Sequence, residues 1–273
     1  MRTLRLASPP VRGLDIVAVQ RALRVKQDGV YGPATGAAVR AWKYRAGYPR
    51  EAINDGLGVA GQRLLLGLDK LPDDMRARAR RRLAAGYKPG WGQAIVTPTQ
   101  VRDQALAVMR DWAGRGLVEQ PPGGNRVPYL AEIAEREEVS DAIDEMGYAW
   151  CAFTVMLANL VAGGQTGELA LVRGAFNGLY CPTILDLARA RRYGMQTIRR
   201  DQARAGDWVL FDFGEGLPQH IGSLTTSVPA GGPFGSIEGN TSAGPGGSQD
   251  NGGGLYHRTD RTTATARWFV RAS

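Results

Sequence analysis

Lysine is scarce in this chain of 273 residues: only Lys26, Lys43, Lys70 and Lys88 occur, so arginine carries the formal net charge of +8. Cysteine and histidine are scarcer still, with two of each. Cys151 and Cys181 are too few for a disulfide scaffold at this length, which excludes a small stapled fold. A bridge between them would consume any nucleophilic thiol. No apolar run approaches membrane-spanning length, and no apolar stretch follows Arg2 and Arg5 to make an ordinary signal peptide. The expectation is a soluble protein made in the cytoplasm, which needs another exit if it acts outside the cell.

What is present is an ordinary globular balance, 43% hydrophobic and 22% charged residues, enough for one large domain or two smaller ones. An arginine-rich surface seeks polyanions, and nucleic acid, acidic membranes and anionic wall polymers all qualify. The densest basic patch, Arg76–Arg82, lacks any aromatic or glycine-rich readout motif. It reads as a solvated helix face in a linker rather than a specific nucleic-acid site.

Residues 1–68 read as a small unit of three helices. Leu14, Val17, Val19 and Leu23 supply the first apolar face, and Asp28-Gly29 a turn. Thr35 then caps a second helix carrying Ala38, Val39 and Trp42, and Leu64-Leu65-Leu66 marks the third. The stretches Val19-Gln20-Arg21-Ala22-Leu23 and Asp28-Gly29-Val30-Tyr31-Gly32-Pro33-Ala34-Thr35, with Ala38-Val39 and Trp42, resemble the peptidoglycan-binding domain family. That resemblance implies a bacterial wall ligand, with Tyr31 and Trp42 as candidate contacts; both also suit a core, where aromatics at helical spacing usually sit. Residues 69–98, with Lys88-Pro89-Gly90-Trp91-Gly92, read as a basic linker.

From residue 99 to 273 the pattern is helices first and an antiparallel sheet afterwards, an α+β domain. A helix is expected from Thr99 through Trp112, and strands over 208–213, 220–224, 236–240 and 267–270. Between them, Cys151 to Ala162 carries no charge and reads as a buried helix with Cys151 in its first turn. A thiol there is favoured as thiolate by unpaired N–H groups and the helix dipole. Of the two histidines, His220 starts an apolar strand and is the expected base, while His257 reads as a surface position. Glu238 and Asn240 lie two apart on one strand and so share a face, either being able to orient the imidazole. Cys181, before Pro182, shows no helix start and reads as structural.

Five ordered segments carry a second resemblance: Glu119-x-Pro121-Pro122-Gly123-x-Asn125, Gly147-Tyr148-x-Trp150-Cys151-Ala152-Phe153, Ala205-Gly206-Asp207-Trp208-Val209-x-Phe211, His220-Ile221-Gly222 and Ile237-Glu238-Gly239-Asn240-Thr241. They resemble the cysteine- and histidine-dependent amidohydrolases/peptidases, the CHAP family of papain-like fold. The resemblance implies Cys151 as nucleophile, His220 as base, Glu238 as orienting carboxylate and Asn240 as a neighbouring polar group. Tyr148 and the Cys151 backbone N–H are candidate oxyanion donors. Some members bind calcium just before the cysteine, but Asp141, Asp144 and Glu145 lack the alternation such a loop needs, so neither metal nor other cofactor is expected.

Together the two resemblances imply a peptidoglycan hydrolase of the phage endolysin kind, released through a separate membrane hole made by a holin. It would be either an endopeptidase or an N-acetylmuramoyl-L-alanine amidase. The alternative is a wall-binding structural or virion protein whose CHAP-like domain is silent.

Overall fold

The computed structural model describes residues 1–84, 97–137, 139, 149–172 and 174–273, with the backbone alone at 83, 84 and 136. The chain divides into two compact units, Met1–Ile95 and Val96–Ser273. Tyr148, Asp141, Asp144, Glu145 and the Lys88–Gly92 segment lie outside the described residues.

In the first unit, α1 (Leu14–Leu23), α2 (Pro33–Arg45) and α3 (Val59–Leu65) surround a core of Leu4, Ile16, Val19, Tyr31, Val39 and Leu57. Gln20 organises the loop between α1 and α2 from inside. Its Nε2 donates to Asp28 Oδ1 at 2.8 Å, Val30 O at 3.0 Å and Thr35 Oγ1 at 3.1 Å, while its Oε1 accepts from Gly29 N at 2.9 Å. Thr35 is therefore not the cap of α2. Pro33, whose fixed φ suits a first helical position, starts that helix one turn earlier, and Thr35 is buried within it.

The segment expected as a linker from residue 69 contains a packed helix, α4 (Asp73–Ala84), within the same unit. Arg82 is buried: its guanidinium lies 4.3 Å from the Tyr44 ring centroid and donates to Tyr44 O at 2.7 Å and Tyr48 O at 2.8 Å. Arg78 donates to Gly47 O at 2.6 Å. The carbonyls around the end of α2 thus take two arginines of the basic run, while Arg80 and Arg81 remain exposed.

The second unit is α+β. Among the described residues its helices are α5 (Pro98–Gly114), α6 (Pro128–Arg136), α7 (Cys151–Val161) and α8 (Cys181–Arg189), with short helical turns at Gln165–Gly167 and Glu168–Val172 between the last two. Six strands follow: β1 (Gln196–Ile198), β2 (Trp208–Phe211), β3 (His220–Leu224), β4 (Phe234–Thr241), β5 (Gly254–Arg261) and β6 (Ala266–Arg271). They form one open antiparallel sheet in the order β1-β6-β2-β3-β4-β5. Helix α5 begins at a capping box, Thr97 Oγ1 accepting from Gln100 N and Gln100 Oε1 from Thr97 N.

Helix α7 is buried from Cys151 to Leu160, which accounts for its uncharged sequence: it packs on α5 on one side and on β3 and β4 on the other. Glycine makes the sheet contact close. A Cβ at Gly239 would meet Thr154 Oγ1 at 2.3 Å and the Trp150 ring at 2.7 Å, so β4 reaches the first turn of α7 only because position 239 has no side chain.

Candidate active site

Cys151 is the first residue of α7 and His220 the first of β3, so the helix-on-sheet packing sets the thiol and imidazole against each other. They are close enough for each to shift the other's ionisation, the Cys151 thiol downward and the His220 imidazole upward. Nε2 of His220 lies 3.0 Å from Glu238 Oε2, while the buried Nδ1 has no hydrogen-bond partner. That leaves Nδ1 for the sulfur. All three residues are buried, with Cys151 at 3% exposure and His220 and Glu238 at 0%. Gly222 makes room for the third: a Cβ there would stand 2.5 Å from Glu238 Cγ.

Cys181, expected to be structural and without a helix start, joins this group. It opens α8 with Pro182 behind it, and its thiol is near enough to that of Cys151 for each to shift the other's ionisation. Both cysteines are free. The Cys–Pro step was a legible helix-start signal, since proline favours the first helical turn.

The electrostatics follow from these contacts. The Cys181 thiol is the largest influence on Cys151; burial opposes it, and His220 and its charge add to it, so the Cys151 thiol falls well below its ordinary 9.0. Cys181 moves the other way, held well above 9.0 by the closeness of Cys151, by burial and by the negative charge of that sulfur. Cys181 therefore keeps its proton. Burial works against a charged imidazole, but Cys151 and Glu238 outweigh it and lift His220 to about 9. Burial likewise works against the Glu238 carboxylate, yet His220 and Arg261 hold it down to about 2.

Glu238 is bonded to His220, and Asn240 is not. The β4–β5 pairing shifts register between Glu238 and Thr241, and Asn240 takes a left-handed φ of 57°, so the strand alternation that would put the two on one face is broken. Asn240 Nδ2 donates instead to Asp250 O at 3.2 Å, and its buried Oδ1 has no hydrogen-bond partner. His257 lies on β5 with Nε2 3.2 Å from Thr225 Oγ1. Arg261 and Ser236 both bond to Glu238 and had no sequence signal. Trp150, beside the thiol, donates from Nε1 to the buried Glu119 at 2.8 Å, tying the Glu119 segment to the start of α7.

In the first unit, Tyr31 is a core residue rather than a surface contact: it is fully buried and its hydroxyl donates to Asp55 O at 2.6 Å. Trp42 is half-buried, its ring 5.6 Å from that of Tyr48. Among the described residues, no helix is long and apolar enough to cross a membrane, and no group of three or more His, Cys, Asp or Glu is placed to hold a metal. Scanned against known protein families, curated proteins and solved structures, the chain matches none of them.

Proposed function

We propose that the second unit is a thiol-dependent amide hydrolase and that its substrate is the peptide of the bacterial cell wall, to which the first unit tethers it. The observation that carries the chemistry is the buried succession of Cys151, His220 and Glu238, each influencing the ionisation of the next. In this reading the Cys151 thiolate attacks a scissile amide carbonyl, and the His220 imidazolium, held in one orientation by Glu238, protonates the departing amine. Water then hydrolyses the thioester with His220 as base. The Cys151 backbone N–H, at the open start of α7, is the natural donor to the developing oxyanion.

The wall as substrate is supported by the two sequence resemblances and by a cationic chain suited to anionic wall polymers. Tethering raises the local concentration of scissile peptide without any new contact at the active site. The test is mass spectrometry of purified wall digested by the wild type and by Cys151→Ala. Free stem peptides identify an amidase and cut stems or cross-bridges an endopeptidase, both lost in the variant. Equal, inactive digests would leave the silent wall-binding protein as the better account.

A further inference from the structure

Glu238 serves two cations. Besides His220, its carboxylate accepts from Arg261: Nε lies 2.9 Å from Oε1 and 3.1 Å from Oε2, and a second guanidinium nitrogen bonds Oε2. Arg261 is 5% exposed, 4.8 Å from the Phe211 ring centroid and 5.7 Å from that of Phe213, the same two rings that flank His220 at 5.8 and 6.3 Å. Its third nitrogen donates to Gln249 Oε1 at 2.7 Å. Such a bidentate, ring-backed guanidinium has little freedom to leave the carboxylate.

We propose that Arg261 is a positioning residue that supplies the buried charge balance of the site, allowing Cys151 and Glu238 to be ionised together beside a single imidazolium. The proposal rests on reading Cys151 as the reactive thiol.

With a thiolate, an imidazolium, a carboxylate and a guanidinium, the buried cluster holds two charges of each sign. Without the guanidinium it would carry a net negative charge away from water, which costs several kcal/mol per uncompensated ion. The cheapest relief is for a sulfur or a carboxylate to take up a proton. Among the described residues, His220 and Arg261 are the cations bonded to Glu238; Arg258 feels its charge at longer range. Arg258 on β5 is already matched by Asp260, with contacts of 2.8 and 2.7 Å; Ser236 on β4 and Gln249 are neutral; and on the helix side α8 presents Cys181, which keeps its proton.

The experiment is iodoacetamide alkylation of Cys151, located by peptide mass spectrometry, across a pH series in full-length protein. Arg261→Gln should lower the rate at pH 6 by about tenfold or more, the change expected for one pKa unit. Arg261→Lys, which keeps the charge but not the fork, should stay within about threefold of wild type. The decisive arm is Glu238→Gln/Arg261→Gln, which removes one charge of each sign and so should regain the low-pH reactivity lost in Arg261→Gln. It also remains readable if the single variant fails to fold, since it leaves no unpaired buried charge. Wild-type alkylation in Arg261→Gln, loss in Arg261→Lys as deep as in Arg261→Gln, or no low-pH reactivity in the double variant would each overturn the proposal. None of these readouts uses cell wall, so a wrong substrate assignment leaves them unaffected.

Discussion

Nε2 of His220 lies 3.0 Å from Oε2 of Glu238, with both side chains fully buried. This bond fixes which nitrogen of the ring is left for Cys151. His220→Ala removes the proton carrier and is expected to lower wall hydrolysis by about 10²–10⁴-fold, the usual worth of general acid–base catalysis. Glu238→Gln should lower it too. It should also destabilise the fold by about 3–5 kcal/mol, because Arg261 is left buried without its counter-ion. Progress curves and denaturant melts of the two variants separate the effects.

The pH dependence has a definite sign. His220 is raised from 6.5 to about 9, so the stability from its protonated form is complete below pH 6.5 and is lost as pH climbs through about 9. Glu238 is lowered from 4.5 to about 2, so its contribution is complete above pH 4.5 and is lost as pH falls through about 2. Hydrolysis should therefore have an alkaline limb near pH 9, where the imidazolium disappears, and the melting temperature should fall over the same interval. A wall-turbidity assay and thermal melts from pH 5 to 10 read both.

Gly222→Ala places a methyl group 2.5 Å from Glu238 Cγ. Overpacking of this kind costs about 1–3 kcal/mol, and here the yielding side chain is the one that orients His220. A fall in kcat larger than the loss of stability explains is the expected result, measured by steady-state assay alongside urea unfolding.

The closeness of the Cys151 and Cys181 thiols makes oxidation intramolecular. Hydrogen peroxide converts the Cys151 thiolate to a sulfenic acid, and the Cys181 sulfur then displaces hydroxide, which leaves as water, to form a disulfide. Intact mass should fall by about 2 Da and return with dithiothreitol. In Cys181→Ala the same treatment should add oxygen to Cys151 without recovery at the sulfinic stage.

Tyr31→Phe deletes the hydroxyl that donates to Asp55 O and should cost the first unit about 1 kcal/mol, with retention on purified wall unchanged. Pull-down with insoluble wall and a thermal melt give the two answers.

Much of this was legible in the chain. Helix α7 announced itself through an uncharged run, and β2, β3, β4 and β6 through apolar, β-branched or aromatic positions, so Cys151, His220 and Glu238 could each be placed on an element. Strand β5 could not. Its buried positions include Arg258 and Arg261, which satisfy their charge through Asp260 and Glu238, and a buried cation reads as a surface residue in sequence. Asn240 misled for a related reason: alternation assumes a regular strand, and the bulge after Glu238 is set by the pairing with β5. Within the basic run, spacing does not distinguish Arg82, buried on Tyr44, from its exposed neighbours Arg80 and Arg81.

Cys151 as a thiolate paired with His220 is tested most directly by thiolate ultraviolet absorbance titrated against pH in the wild type and in Cys151→Ala. The expected difference is one sulfur ionising well below pH 9, present in the wild type and missing from the variant. Superimposable curves, with no thiolate appearing until pH 9 or above, would contradict it.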